Sequence, residues 1–232
     1  MNITKGNIFA SNAEVIVNTV NCVGVMGAGL ALECRLRYPD MFHEYYDLCK
    51  SGRIGIGELW VYDAGHRKIL NFPTKKHWKR PSKIEYLEKG LEKFACSYEE
   101  LGIKNIAFPL LGADRGGLPK NKSLEIMRKW LQGLPIHIEI YEYDPNAKDD
   151  LYDKFEKWVV GATEREISEQ AGVGIQYARR VKELVAGGGI KQLNQLGKAE
   201  GVGIKTLQKM YQCAVSGEGR GGESEGEQLN LL

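Results

Sequence analysis

A chain of 232 residues with a formal net charge of +2 has room for one large domain, or for a medium one and a small one. Charge so close to neutral neither demands nor excludes a nucleic-acid partner. With 43% apolar and 27% charged residues the composition is that of an ordinary soluble globular protein with enough apolar side chains for a core. The five cysteines (Cys22, Cys34, Cys49, Cys96 and Cys213) are odd in number, have no metal-ligand spacing and suit reduced thiols better than a disulfide framework. The start, MNITKGNIFA, has no basic region leading into a long apolar run, and no segment approaches the roughly 18 apolar residues of a spanning helix. The expectation is a cytoplasmic protein with no membrane contact, no metal and no cofactor.

In chain order, Ile3 to Phe9 reads as a first strand interrupted at Lys5-Gly6-Asn7, and Val15 to Val20 as a second. A helix follows from about Ala28 to Arg37, stopped by Pro39, and a shorter one from Met41 to Ser51. Leu59 to Tyr62 and Lys68 to Phe72 are strands joined at Gly65, after which Pro73 to Pro81 is a polar, proline-bounded segment. Ser82 and Glu85 have capping-box spacing and open a helix to about Leu101. Asn105 to Leu111 reads as a buried strand, Asn121 to Leu131 as a helix and Ile136 to Tyr143 as a last strand. Strands alternating with helices predict a three-layer α/β/α domain on a mostly parallel mixed sheet over residues 1–145.

Residues 146–162 read as a linker or an adjoining helix. From 163 to 213 the composition turns to helix formers, and Gly172-Val173-Gly174-Ile175 returns as Gly201-Val202-Gly203-Ile204 after 29 residues. Each copy predicts a short helix, a glycine turn and a second helix. Such helix-turn-helix-like modules bind DNA or protein partners, and eight Lys/Arg against five Asp/Glu leave both open. Residues 214–232, rich in Gly, Glu and Ser, are expected to be disordered.

The chemistry concentrates in two glycine loops at strand-to-helix junctions, the sheet edge where ligands of α/β folds bind. The first, VNTVNCVGVMGAGLA, carries Gly24, Gly27 and Gly29, with Asn18 and Asn21 upstream as amide donors and acceptors for sugar hydroxyls. The second runs from Gly112 to Leu118. Glycines permit close approach of the main chain, and the amides of a helix start accept anions. Two such loops fit a diphosphate bridging two sugars.

The ordered motifs GNIF, VNTVNCVGVMGAGLALECR, LNFPTKKHW and FPLLGADRGGL resemble the macrodomain family, the ADP-ribose-binding fold, and within it the DNA ADP-ribosyl glycohydrolase branch of DarG type. The resemblance covers about residues 1–145. It implies that the chain removes ADP-ribose from ADP-ribosylated DNA bases, as antitoxin to a cognate ADP-ribosyltransferase toxin. By the same resemblance Gly6-Asn7-Ile8 forms the adenine-contacting turn, where many macrodomains have an aspartate in place of Asn7. Tyr143 matches a position packing on the adenine ring, and Asn21 the asparagine at the distal ribose, which the resemblance also places among the catalytic residues. Gly27, Ala28, Gly29 and Leu30 correspond to the first phosphate loop. Gly112, Ala113, Asp114, Arg115, Gly116, Gly117 and Leu118 correspond to the second. Relatives often have glycine where Asp114 stands, and an aspartate beside a diphosphate repels it unless turned away or paired, with Arg115 at hand.

The resemblance also puts the catalytic lysine at Lys75. Cleaving an N-glycosidic bond needs a group at the anomeric carbon or the ring oxygen, and a partly deprotonated amine can act there as nucleophile or as proton donor. Lys76, His77, Trp78, Lys79 and Arg80 would then contact the nucleic acid, the aromatic rings stacking on a base. Two rival readings stay open: a non-catalytic ADP-ribose reader that regulates transcription, and a hydrolase of ADP-ribosylated protein or O-acyl-ADP-ribose.

Overall fold

A computed structural model describes residues 1–217, in which Met1–Asp150 forms one compact unit and the residues from Leu151 onward a second. The first unit comprises β1 (Asn2–Gly6), β2 (Val15–Asn21), α1 (Gly29–Arg37), α2 (Pro39–Lys50), β3 (Trp60–Asp63), β4 (Lys68–Lys75), α3 (Ile84–Ser97), β5 (Asn105–Pro109), α4 (Lys120–Leu131) and β6 (His137–Tyr143). The strands form one sheet in the order β1-β6-β5-β2-β4-β3, parallel except where β3 meets β4.

Period-two side-chain alternation sorts the strands' residues into two cores. Val15 and Val17 of β2, Leu70 and Phe72 of β4 and Phe108 of β5 pack against Leu87, Leu91 and Phe94 of α3 and Ile126, Met127 and Leu131 of α4. On the opposite face Ile16, Val20 and Ile69 meet Cys34 of α1 and Met41, Phe42 and Tyr45 of α2. Each large side chain buried this way contributes about 1.5–3 kcal/mol. Gly90 permits the closest helix-to-sheet contact, because a Cβ there would run into the Phe72 ring. At the end of α1 the buried Arg37 guanidinium pairs with Glu33 (2.9 Å), Asp149 (3.4 Å) and Asp150 (2.8 Å) and lies 3.9 Å over the Phe9 ring. Burial alone would raise the Asp150 carboxyl, yet its contact with Arg37 holds it below its ordinary range.

The three-layer mixed sheet matches the sequence reading, and several boundaries do not. Ser82 is not a helix cap: α3 starts after Lys83 with no side-chain cap, and Glu85 pairs with Lys83 at 3.6 Å instead. The Ser82 backbone is taken by the second glycine loop, its N–H donating to the Gly116 carbonyl at 2.9 Å. Strand β4 runs on through Pro73 and Thr74 to Lys75, because the ladder with β2 continues as Val20 to Pro73 and, after a register shift, Asn21 to Lys75. Strand β1 ends at Gly6, and Ile8–Ala10 is a turn of 3-10 helix. Strand β5 stops at Pro109 and α3 at Ser97.

The second unit contains α5 (Tyr152–Gly161), α6 (Glu164–Ala171), α7 (Ile175–Ala186), a 3-10 segment at Leu193–Lys198 and α8 (Ile204–Ser216). The stretch expected to link the units forms α5, which buries Tyr152, Phe155 and Val159. Thr163 and Glu166 form a capping box at the start of α6, and Trp158 Nε1 donates to Gln170 at 2.6 Å. Both glycine turns sit where expected, between a short helix and a longer one. Ala214 to Ser216, placed in a disordered tail by the sequence, are helical, and the rest of that expected tail from 218 lies outside the described residues. Among the described residues no helix is long and apolar enough to cross a membrane.

Candidate functional site

Lys75 stands at the carboxyl end of β4, beside Asn21 at the end of β2. Its Nζ donates to the main-chain carbonyl of Arg115 in the second glycine loop. The Arg115 side chain in turn reaches the first loop, its Cγ lying 3.5 Å from where a Cβ on Gly29 would be. Asn21 and Gly29 at the two ends of the first loop, Lys75 and Arg115, from three separate stretches of the chain, therefore meet at one sheet edge. Burial lowers the Lys75 pKa below its ordinary value, and the Arg115 cation lowers it further. Both effects favour the free amine, the nucleophilic form.

Asn21 holds the first loop in shape. Its Oδ1 accepts from the N–H groups of Val23 (3.0 Å) and Val25 (3.3 Å), and its Nδ2 donates to the Val25 carbonyl at 2.5 Å. The Tyr45 hydroxyl, from α2, donates to the Asn21 carbonyl at 2.6 Å. An amide nitrogen has two N–H bonds, and these contacts use only one of them on the buried Asn21. Gly24 and Gly29 take left-handed conformations at φ +79° and +58°, whereas Gly27 does not. Gly27, Ala28 and Gly29 are exposed and Leu30 is half-buried; α1 begins here without a side-chain cap, so its first amides face outward.

The second loop spends four of its seven amides on internal turns. Gly116 and Gly117 donate to the Ala113 carbonyl at 2.7 Å, Leu118 to Gly112 at 2.9 Å and Ala113 to Leu110 at 3.3 Å. Gly112 (φ +66°) is packed so closely that a Cβ would lie 2.9 Å from Leu118 and 3.1 Å from Leu87 and Ser82. Asp114 is exposed and, among the described residues, makes no ion pair with Arg115. Its charge acts instead on Lys120, whose main partner is Glu142 at 2.6 Å.

Asn18, read with Asn21 as a ligand contact, is not one: it is 0% exposed and its Nδ2 donates to Asn71 Oδ1 at 2.9 Å inside the core. Strand alternation puts it beneath α1 and α2, beside Met26. Gly6 pairs in register with Tyr143, so the turn Gly6-Asn7-Ile8 and the 41% exposed Tyr143 ring share one edge. Asn7 is 3% exposed; its Oδ1 caps the following turn at Phe9 N–H (3.0 Å), and its buried Nδ2 has no partner.

After Lys75 the chain exposes Lys76, Lys79 and Arg80 around a preformed aromatic stack. Trp78, 48% exposed, stacks on His77 at 5.8 Å, Lys79 Nζ lies 5.0 Å from the Trp78 ring, and the Lys79 N–H donates to His77 Nδ1 at 3.2 Å. Cys22 is the rival nucleophile, its thiol 3.3 Å from the Lys75 carbonyl oxygen. Burial and Cys49 push it up to about 11, so it stays protonated at neutral pH. Among the described residues no group of three or more His, Cys, Asp or Glu is arranged to hold a metal. Sequence reasoning missed Tyr45 and Asn71 and gave Ser82 the wrong role, a helix cap in place of a partner of the second loop. Asn71 had a signal, a lone amide inside an apolar strand; Tyr45 had none.

The macro domain family model matches residues 17–127. The DNA ADP-ribosyl glycohydrolase of Thermus aquaticus is 43% identical over 145 residues, covering 61% of this chain and 40% of that protein. The solved macrodomain of Thermus aquaticus DarG superposes with a TM-score of 0.58 at 42% identity, covering 61% of this chain and 97% of that one. From Thermosipho africanus, a DNA ADP-ribosyl transferase-DNA ADP-ribosyl glycohydrolase fusion protein is 32% identical over 160 residues, covering 61% of this chain and 41% of its own. The structure of Thermosipho africanus DarTG in complex with ADP-ribose matches with a TM-score of 0.58 at 32% identity, covering 62% of this chain and 42% of that one. The chain thus spans about two fifths of the length of the curated relatives it matches.

Proposed function

The chain belongs to the macro domain family through its first unit, and from that premise we propose that it hydrolyses the N-glycosidic bond joining ADP-ribose to a base of DNA. The observation that carries this reading is the convergence of Asn21, Gly29, Lys75 and Arg115, with an amine of lowered pKa at its centre. The similarity to glycohydrolases named for DNA supports the substrate, and the Thermosipho africanus fusion supports a role as antitoxin to an ADP-ribosyltransferase toxin. Five free thiols suit a reducing cytoplasm.

In this reading Gly27, Ala28, Gly29 and Leu30 offer helix-start amides to the diphosphate. The second loop, Gly112 to Leu118, walls the site and fixes Lys75. Gly6, Asn7 and Ile8 hold the adenine with Tyr143 on its face, the unpartnered Asn7 Nδ2 finding an acceptor on the ring. The free N–H of Asn21 holds the distal ribose. When the ribose ring opens, the ring oxygen takes a proton and the anomeric carbon is left doubly bonded to the base nitrogen. The Lys75 amine adds to that carbon, its proton passes to the base nitrogen, the base leaves, and water cleaves the resulting lysine imine to release ADP-ribose and restore the amine. Trp78 and His77 present a stacking surface for the base, and Lys76, Lys79 and Arg80 meet the flanking phosphates.

The test is turnover of an oligonucleotide carrying ADP-ribose on one base. Release by the wild type and not by Lys75→Ala is the expected result. Release by neither protein, with ADP-ribose still bound in a titration, would make the fold a reader. The pH profile separates the two roles of the amine: as a nucleophile it gives a rate that rises with pH through the lowered Lys75 pKa, and as an acid one that falls.

A further inference from the structure

Charge is shared unequally between the two glycine-turn hairpins of the helical unit. Residues 163–186 carry four basic and four acidic side chains. All three arginines there are in ion pairs: Arg165 with Glu169 (2.8 Å), Arg179 with Glu164 (3.0 Å) and Arg180 with Glu183 (3.4 Å). Lys182 is engaged by the carbonyls of Val160 and Ala162, and Glu166 by its capping box. Residues 187–216 instead carry Lys191, Lys198, Lys205 and Lys209 against Glu200 alone. All four lysines are exposed, and among the described residues none is in an ion pair.

The shape of this region fits its charge. Helix α8 buries Thr206, Leu207, Met210 and Tyr211 and turns Ile204, Lys205, Gln208, Lys209, Gln212 and Val215 to solvent. Lys205 and Lys209 are one turn apart on the same face, with amide side chains beside them and no carboxylate. Arg180 anchors the turn that opens α8, its Nε donating to the Glu200 carbonyl at 2.9 Å while its stem packs 3.3 Å from a Cβ position on Gly201. The lysines therefore stand on a fixed base.

We propose that the second hairpin is a surface for the phosphodiester backbone of DNA, centred on Lys205 and Lys209 with Lys191 and Lys198 adding charge from the segment before them. Protein interfaces are depleted in lysine and built on large apolar anchors, whereas here Ile204 (48% exposed) and Val215 (50% exposed) stand at opposite ends of α8 with lysines and amides between them. Lysine and amide side chains are what phosphate contacts use. Binding of this kind does not depend on sequence and has a non-specific Kd on the order of 10⁻⁴ to 10⁻⁶ M, enough to keep the chain on DNA between encounters with modified bases.

The full chain is titrated against a labelled DNA duplex carrying no ADP-ribose, between 50 and 200 mM KCl, beside a variant combining Lys191→Gln, Lys198→Gln, Lys205→Gln and Lys209→Gln. The expected result is at least about tenfold weaker binding by the variant, with a salt slope shallower by roughly 3 to 4, since each phosphate contact contributes about 0.9. Its ADP-ribose affinity and thermal midpoint stay at the wild-type values, because the four side chains are exposed and unpaired. Equal affinity and slope for the two proteins would overturn the proposal. So would a wild type that binds no duplex at 50 mM salt, which would turn the surface over to an acidic protein partner. Binding that appears only when residues 218–232 are removed would also overturn it, giving the surface to the chain's own segment of four Glu and one Arg.

Discussion

The two glycine loops of the α/β unit look alike in sequence and use their main chains differently. In the first, the Asn21 side chain ties Val23 and Val25 down, and the opening amides of α1 are left facing outward. In the second, the N–H groups of Ala113, Gly116, Gly117 and Leu118 close internal turns, and the Arg115 carbonyl accepts from Lys75. A glycine-rich loop is thus a ligand cradle only where its amides are left over after the loop has closed on itself. The first loop leaves helix-start amides open, and the second adds a carbonyl that fixes a lysine.

The comparison breaks hardest at Lys75. Lys75→Ala should lower turnover about a thousandfold while ADP-ribose affinity by calorimetry stays within a few fold, because in the proposed function the amine acts on the bond and the first loop holds the ligand. Asn21→Ala should weaken both: it orphans loop donors worth about 1–3 kcal/mol, so ADP-ribose binding falls at least about tenfold and the melting temperature drops with it. Gly112→Ala should cost about 1–3 kcal/mol of stability by denaturant titration, through its left-handed φ and its contacts with Leu118, Leu87 and Ser82, and should lower turnover more than affinity. Arg115→Ala keeps the carbonyl that holds Lys75 but removes the neighbouring cation. The Lys75 pKa then rises, and the acid limb of the rate profile moves to higher pH. Gly27→Ala should be the mildest, within about 0.5 kcal/mol of wild type, since its φ is ordinary and a Cβ would approach no closer than 3.7 Å to Val25.

Much of this was legible from the residues. Apolar periodicity located the strands and helices, Pro39 marked the end of α1, and the repeated glycine turns marked the two hairpins of the second unit. Lys75 was singled out by its motif, and the structure puts it beside both loops. The two asparagines upstream of the first loop were not separable in the same way. Residues three apart in a regular strand lie on opposite faces, yet the register shift after Val20 leaves Asn18 beside Met26 and Asn21 beside Tyr45, both on the α1 and α2 side. One amide is sealed in the core and the other reaches the site.

The sequence by itself determined the alternation of elements, the places where the main chain turns on glycine and the chemical types gathered at the carboxyl edge of the sheet, because these depend on local period and local conformational freedom. Only the tertiary structure decided how each polar group is used. Ser82 has the spacing of a helix cap, but its N–H is taken by the Gly116 carbonyl across a loop. The Lys75 amine is lowered by burial and by a cation 40 residues away in the chain. Hydrogen-bond partners and burial are set by whatever the fold brings within about 3 Å, and neighbours in space are not written in the spacing of neighbours in sequence.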